Sequence, residues 1–187
     1  MTTVFIAGSM NIKHLDRKVR ERIDNIIESN LSVVVGDAEG ADTSIQKYLL
    51  ERGAGDITVY CSGSKPRNNV GDWKVCMIDA KNYAPGSRAF FTAKDMEMAR
   101  IADFGLMIWD AKSTGTLSNV IELLKQKKTS VVFVNKEKSF VNVADVTQLE
   151  KLLSYMSEHA HGKADEKINL RSKIDFLKHE QKELFAH

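Results

Sequence analysis

Cysteine and proline are scarce in this chain, which has two of each: Cys61 and Cys76, Pro66 and Pro85. Two cysteines do not make a disulfide framework. The five histidines (His14, His159, His161, His179 and His187) keep no zinc-ligand spacing with them. Neither a metal site nor a cofactor is therefore expected. No run of about 18 apolar residues occurs, so no membrane-spanning helix is expected. The opening Met1-Thr2-Thr3-Val4-Phe5-Ile6-Ala7-Gly8 lacks the basic and long apolar stretches of a signal peptide. A dominant charge sign is missing too. The 27 Lys and Arg face 25 Asp and Glu, a net charge of +2, without the concentrated basic field typical of a nucleic-acid binder. These absences lead to the expectation of a cytoplasmic protein with reduced thiols and no membrane contact. Its 187 residues suit one domain with a tail.

What is present alternates. Short β-branched or apolar runs at 4–7, 32–35, 57–60, 105–109 and 130–134 read as buried strands. Between them, 16–29, 41–52, 90–102 and 116–127 carry apolar residues at helical spacing, as Val19, Ile23, Ile26 and Ile27 do in the first. The pattern predicts an α/β fold, a Rossmann-like parallel sheet of about five strands with helices on both faces. The stretch 62–87 holds both prolines and reads as a long irregular segment, of the kind that often binds. In it, Trp73 and Tyr83 are either contact residues or packing that pins the loop, with packing the simpler role.

The remainder, 141–187, reads as a helical extension of a nucleotide-binding domain at 1–140. A helix is expected at 146–155, a flexible break at 159–165 and a charged helix at 166–185. Leu170, Ile174, Leu177 and Leu184 form a short heptad-like seam on the last of these, with Gln181 polar between them. Such a seam either docks on the domain's own surface or assembles a homo-oligomer.

Three loops leave the strands at one edge of such a sheet, where helix N-termini bring unpaired amides together. They begin at Gly8-Ser9, at Gly36-Asp37-Ala38-Glu39-Gly40-Ala41-Asp42, and at Asp110 through Ser113-Thr114-Gly115-Thr116-Leu117-Ser118. The third offers four hydroxyls around Gly115 and is the candidate phosphate loop. Capping alone would need only one of them. Asp37, Glu39 and Asp42 repel an anion and suit ribose hydroxyls, base N–H groups or acid–base work. Asp37 as a cap and Asp42 as a favourable charge at a helix N-terminus are the simpler alternatives. Among Lys65, Arg67, Lys74, Arg88 and Lys94, the best phosphate partners are Arg88 and Lys94, which lead into the helix before the fourth strand. Trp73, Tyr83 and Trp109 are all candidates for stacking on a base.

Gly8-Ser9, the Gly36–Asp42 run, and Ala102-Asp103-Phe104-Gly105-Leu106-Met107-Ile108-Trp109-Asp110 leading to Gly115-Thr116 resemble the SLOG superfamily, nearest its YspA/YpsA-related branch. The resemblance covers about 4–135 and leaves the tail unexplained. It implies a Rossmannoid domain that binds nucleotides or nucleotide-derived ligands, often as an oligomer. Relatives of this kind include Lonely Guy phosphoribohydrolases, nucleoside deoxyribosyltransferases and sensors of nucleotide signals. In the two enzyme groups a glutamate stands three positions after the late Gly-Thr, where this chain has Asn119. An amide supplies neither a nucleophile nor a counter-charge to an oxocarbenium-like centre. Replacement carboxylates would be Asp37, Glu39 or Glu122, the last one turn further along its helix. The leading expectation is therefore nucleotide binding through Gly8, Ser9, Gly36, Asp37, Gly40, Asp42, Arg88, Lys94, Ser113, Thr114, Gly115, Thr116, Ser118 and Asn119. The alternatives are an N-glycoside hydrolase or transferase and an interaction module assembled through the tail.

Overall fold

The computed structural model describes residues 1–184, the side chain of Leu184 excepted. The chain alternates strand and helix. It runs β1 (Thr3–Gly8), α1 (Arg17–Glu28), β2 (Ser32–Gly36), α2 (Ala41–Glu51), β3 (Ile57–Ser62), β4 (Lys74–Ile78), α3 (Arg88–Ile101), β5 (Phe104–Trp109), α4 (Thr114–Lys125), β6 (Ser130–Val134) and β7 (Ser139–Val143). Three helices follow: α5 (Val146–Leu153), α6 (Glu158–Ile168) and α7 (Leu170–Leu184).

The strands form one seven-stranded sheet in the order β4-β3-β2-β1-β5-β6-β7, parallel except for the β6–β7 pair. The expected α/β architecture is therefore present, with two more strands than the five expected. Period-2 alternation sends the strand side chains to opposite faces. Val4, Ile6, Val33, Val35, Leu106 and Ile108 meet α1 and α2 through Val19, Ile23, Ile45 and Leu49. Phe5, Ala7, Val34, Met107 and Trp109 meet α3 and α4 through Met98, Leu117, Val120 and Ile121 on the other side.

Two expectations need correction. The irregular stretch 62–87 contains β4, an edge strand whose residues are exposed or half-buried, so it lacks the apolar run that marks a central strand. The expected break at 159–165 is instead part of α6. The Ser157 hydroxyl caps it by accepting from the Ala160 amide at 3.1 Å, and Ala160, Ala164 and Ile168 bury at i, i+4, i+8 spacing. The real break is Asn169, in the left-handed conformation with φ 51°, which splits the single expected charged helix into α6 and α7.

The tail seam docks within the chain. Leu170 and Leu177 are buried in the core that also holds Met98 and Leu149, and half-buried Ile174 packs against it. The Gln181 side-chain oxygen accepts from the Val146 amide at 3.4 Å. The seam's last position, the Leu184 side chain, lies outside the described residues. No helix among the described residues is long and apolar enough to cross a membrane.

Candidate functional site

The strand order reverses between β1 and β5, so the loops after these strands diverge and leave a crevice at their C-terminal ends. A cavity of about 660 Å3 fills it, within the range of small-molecule sites.

The first loop acts mainly as a tie. A Cβ on Gly8 would fall 2.7 Å from both the Ala41 Cβ and the Ile108 carbonyl, so β1, α2 and β5 close up only around glycine. Ser9 is buried. Its amide donates to the Ile108 carbonyl at 2.9 Å, and its hydroxyl accepts from the Asp110 amide at 3.1 Å and lies 3.2 Å from the Thr116 hydroxyl. Ser9 therefore clamps the first loop to the third, and Gly8 is the one of the pair on the cavity wall.

The second loop is held by its own acids. Gly40 has φ +79°, and a Cβ there would lie 2.0 Å from the Met10 carbonyl oxygen. That close approach joins the first two loops and needs glycine twice over. Asp37 is buried and paired. Arg67 donates to it from its backbone amide at 2.9 Å and from its guanidinium at 3.2 and 2.8 Å. Burial alone would raise the Asp37 carboxyl, but these bonds outweigh it and hold the group below its ordinary value. Asp37 thus anchors the segment after β3. Glu39 is exposed and, like Gly36, Asp37 and Gly40, is not on the cavity wall.

Asp42 is on that wall. Its carboxylate accepts from the Ala38 amide at 3.2 Å and stands 4.0 Å from the Lys94 ammonium. Burial dominates here and pushes its pKa up to about 6, against the pull of Lys94. Lys94 also faces the cavity but bonds Asp95 at 2.7 Å. Burial would lower its ammonium, yet Asp95 and Asp42 raise it overall. Its charge answers neighbouring acids, which is a different role from the expected phosphate partner. Gly36 makes room for this cluster, since a Cβ there would meet Asp42 at 2.3 Å and Lys94 at 2.6 Å.

The third loop faces the cavity most fully. Asp110 accepts from the amides of Lys112 and Ser113 at 2.9 and 2.7 Å, and the Trp109 indole donates to the Ser113 carbonyl at 3.0 Å. Ser113 caps α4, with a long 3.5 Å bond from the Thr116 amide. The Thr114 and Gly115 amides take no acceptor among the described residues and lie at the positive end of α4. Thr114 accepts from the Arg88 guanidinium at 3.1 Å. Thr116 and Asn119 complete this wall, whereas Ser118 and Glu122 line an adjoining groove.

Sequence reasoning missed several wall residues. Lys163 and Lys167 reach the cavity from α6, four residues apart on one face, where the sequence predicts a flexible break at Lys163 and the start of a separate charged helix at Lys167. Lys112 joins them from the third loop. The aromatic at the cavity is Phe91, with Arg67 stacked 4.6 Å from its ring centre. Trp73 instead bonds the Ala54 carbonyl at 3.3 Å, which is the packing role, and Trp109 is buried. Tyr83 lines a separate apolar cavity beside β4, along with Met77, Pro85 and Phe90. Lys65 and Lys74 lie outside the main cavity.

Among the described residues, Arg88, Lys112, Lys163 and Lys167 form no ion pair. The cavity thus joins two amides without an acceptor and four cations without an ion pair, both counted among the described residues. No group of three or more His, Cys, Asp or Glu that could hold a metal ion comes together among these residues. Comparison with family models, curated proteins and solved structures finds no match to this chain.

Proposed function

We propose that the chain binds a nucleotide or nucleotide-derived phosphoanion in the β1–β5 crevice, as a binding or sensing protein of the SLOG kind in the cytoplasm. One observation carries this reading. Thr114 and Gly115, whose amides take no acceptor among the described residues, line the same cavity as Arg88, Lys112, Lys163 and Lys167, which form no ion pair among them. A helix N-terminus and cations converging on one concave surface favour a phosphate. The phosphate sits at the start of α4, and the nucleoside extends toward Phe91, Asn11 and Asp42. Asp37 takes no part in reading the sugar, because Arg67 already occupies it.

Isothermal titration with the common nucleoside 5′-monophosphates tests the reading. At least one should bind, and Arg88→Ala should weaken it about tenfold, the usual scale for one charge-assisted contact. Absence of heat and of thermal stabilisation with every nucleotide would sink it.

Asp42 favours a second reading, cleavage of the N-glycosidic bond. A carboxyl pushed up to about 6 on the cavity wall can protonate a departing base near neutral pH, while water adds to the anomeric carbon and releases a proton. The wall offers the Asn119 amide where the resembled enzymes carry a carboxylate, so this reading ranks second. Chromatography of nucleotide incubations decides it. Free base that appears with the native chain and vanishes in Asp42→Asn would make it the first.

A further inference from the structure

Beside the main cavity runs a groove of about 300 Å3 between α3, α4, α6 and α7. Arg88, Thr92, Asp95, Asn119 and Lys167 line both, so the two spaces meet across these side chains. Lys125 from the last turn of α4 and Lys173 from α7 line the groove alone. Its two acids are already engaged. Asp95 bonds Lys94 at 2.7 Å, and Glu122 accepts from Gln126 at 2.9 Å and pairs with Lys125 at 3.5 Å. Arg88, Lys167 and Lys173 are left without an ion pair among the described residues. Lys173 is half-buried, and burial, then Lys125 and Arg88, push its ammonium below the ordinary range. Like charges gathered in a concave space raise the energy of the empty protein and lower it when an anion enters.

We propose that this groove is a second anion subsite and that the ligand of the main cavity carries a second phosphate set apart from the first by a sugar. The spacing follows from α4. Gly115 at the first subsite and Glu122 in the second are seven residues apart on one helix, about 10 Å along its axis. Two phosphates that share one oxygen fall far short of that interval, whereas the outer oxygens of phosphates on opposite sides of a ribose come near it, with the Lys125 and Lys173 side chains reaching the remainder. The ligand class is a nucleoside bisphosphate or a larger molecule with the same separation. The tail thus belongs to the binding site, since α6 and α7 supply Lys167 and Lys173. The proposal rests on the main cavity being a nucleotide site, and its test keeps the two apart.

The probes are adenosine and guanosine 5′-monophosphate, 5′-diphosphate and 3′,5′-bisphosphate, titrated into the full chain and into a Lys125→Gln/Lys173→Gln double variant. Both substituted residues touch the groove alone. The bisphosphate should bind about tenfold or more tighter than the monophosphate of the same base. The double variant should erase that gain and leave the monophosphate unchanged. A bisphosphate no tighter than the monophosphate, or a gain that survives in the variant, overturns the second subsite while the nucleotide reading stands. An equal gain with the 5′-diphosphate overturns the spacing. If no probe binds at all, both readings fall together.

Discussion

Asp37 and Asp42 share one loop, yet their carboxyls move in opposite directions because their surroundings differ. Arg67 encloses Asp37 with three donors, whereas Asp42 has one amide and a lysine 4.0 Å away. The consequences for stability have opposite signs. The folded pKa of Asp37 is depressed, so its contribution is present above the ordinary carboxylate range and is lost as pH falls through the folded value. The folded pKa of Asp42 is raised from 3.8 to about 6, so its contribution is full below about pH 4 and is lost as pH rises through 6. By pH 7 that loss is on the order of 3 kcal/mol, at 1.36 kcal/mol for each pKa unit. Asp42→Asn cannot ionise and escapes the loss. The attraction between the ionised carboxylate and Lys94 is already contained in that raised pKa, so the difference between the two proteins follows the titration of Asp42. The melting temperature of Asp42→Asn relative to the native chain should therefore climb between pH 4 and pH 7. A constant difference across parallel thermal melts would show that Asp42 titrates normally.

Among the elements, those with strong periodicity were readable from the amino-acid order alone. The central strands show short apolar runs, β-branched in β2 and largely so in β6, because both faces are covered, and α1 shows its stripe because Val19, Ile23 and Ile26 face the sheet. The edge strands β4 and β7 carry weaker patterns, since Lys74, Met77 and Asn142 face outward. The α4 loop could be read because its glycine and hydroxyls are contiguous. The Arg67–Asp37 pair could not, since the partners are thirty residues apart and meet only through the sheet. Lys163 was hidden by Gly162 and two histidines, which mimic a loop, and Lys167 by its place in a helix read as beginning at 166. The element boundary that matters most is Asn169, whose left-handed backbone turns α7 so that Leu170 enters the core. Asparagine tolerates this conformation and a β-branched side chain does not. Asn169→Gly should hold or raise stability, by up to about 1 kcal/mol, while Asn169→Val should cost about 1–2 kcal/mol. Urea midpoints of the two variants check the order, and a Val variant as stable as the Gly variant would refute the strained turn.

At the scale of the molecule, the tail is part of both the core and the charge distribution. Leu170 and Leu177 are buried with Leu149, Leu152, Ala164 and Ile168 in the cluster that reaches the sheet. Deleting 170–187 should therefore cost cooperative folding, seen as a lost thermal transition. A truncated chain that melts normally, with only its mass in solution changed, would return the seam to an assembly role. Charge is distributed as unevenly as the core is shared. The net charge is only +2, but Arg88, Lys112, Lys163 and Lys167 gather at one cavity without ion pairs among the described residues. The positive field of this cavity is therefore local, and for the proposed phosphoanion salt should act on binding far more than on folding. Screening lengths fall from roughly 10 Å at 0.1 M salt to about 3 Å at 1 M, so exposed Lys163 and Lys167 should lose most of their pull on the ligand across that range. Nucleotide affinity should drop about tenfold or more between 0.05 and 0.5 M sodium chloride, and Lys163→Gln/Lys167→Gln should bind more weakly with a flatter salt dependence. Titrations at four salt concentrations give the slope for both proteins. Equal slopes would mean that α6 contributes no charge to the bound state, and the phosphate would then rest on the α4 amides, Arg88 and Lys112.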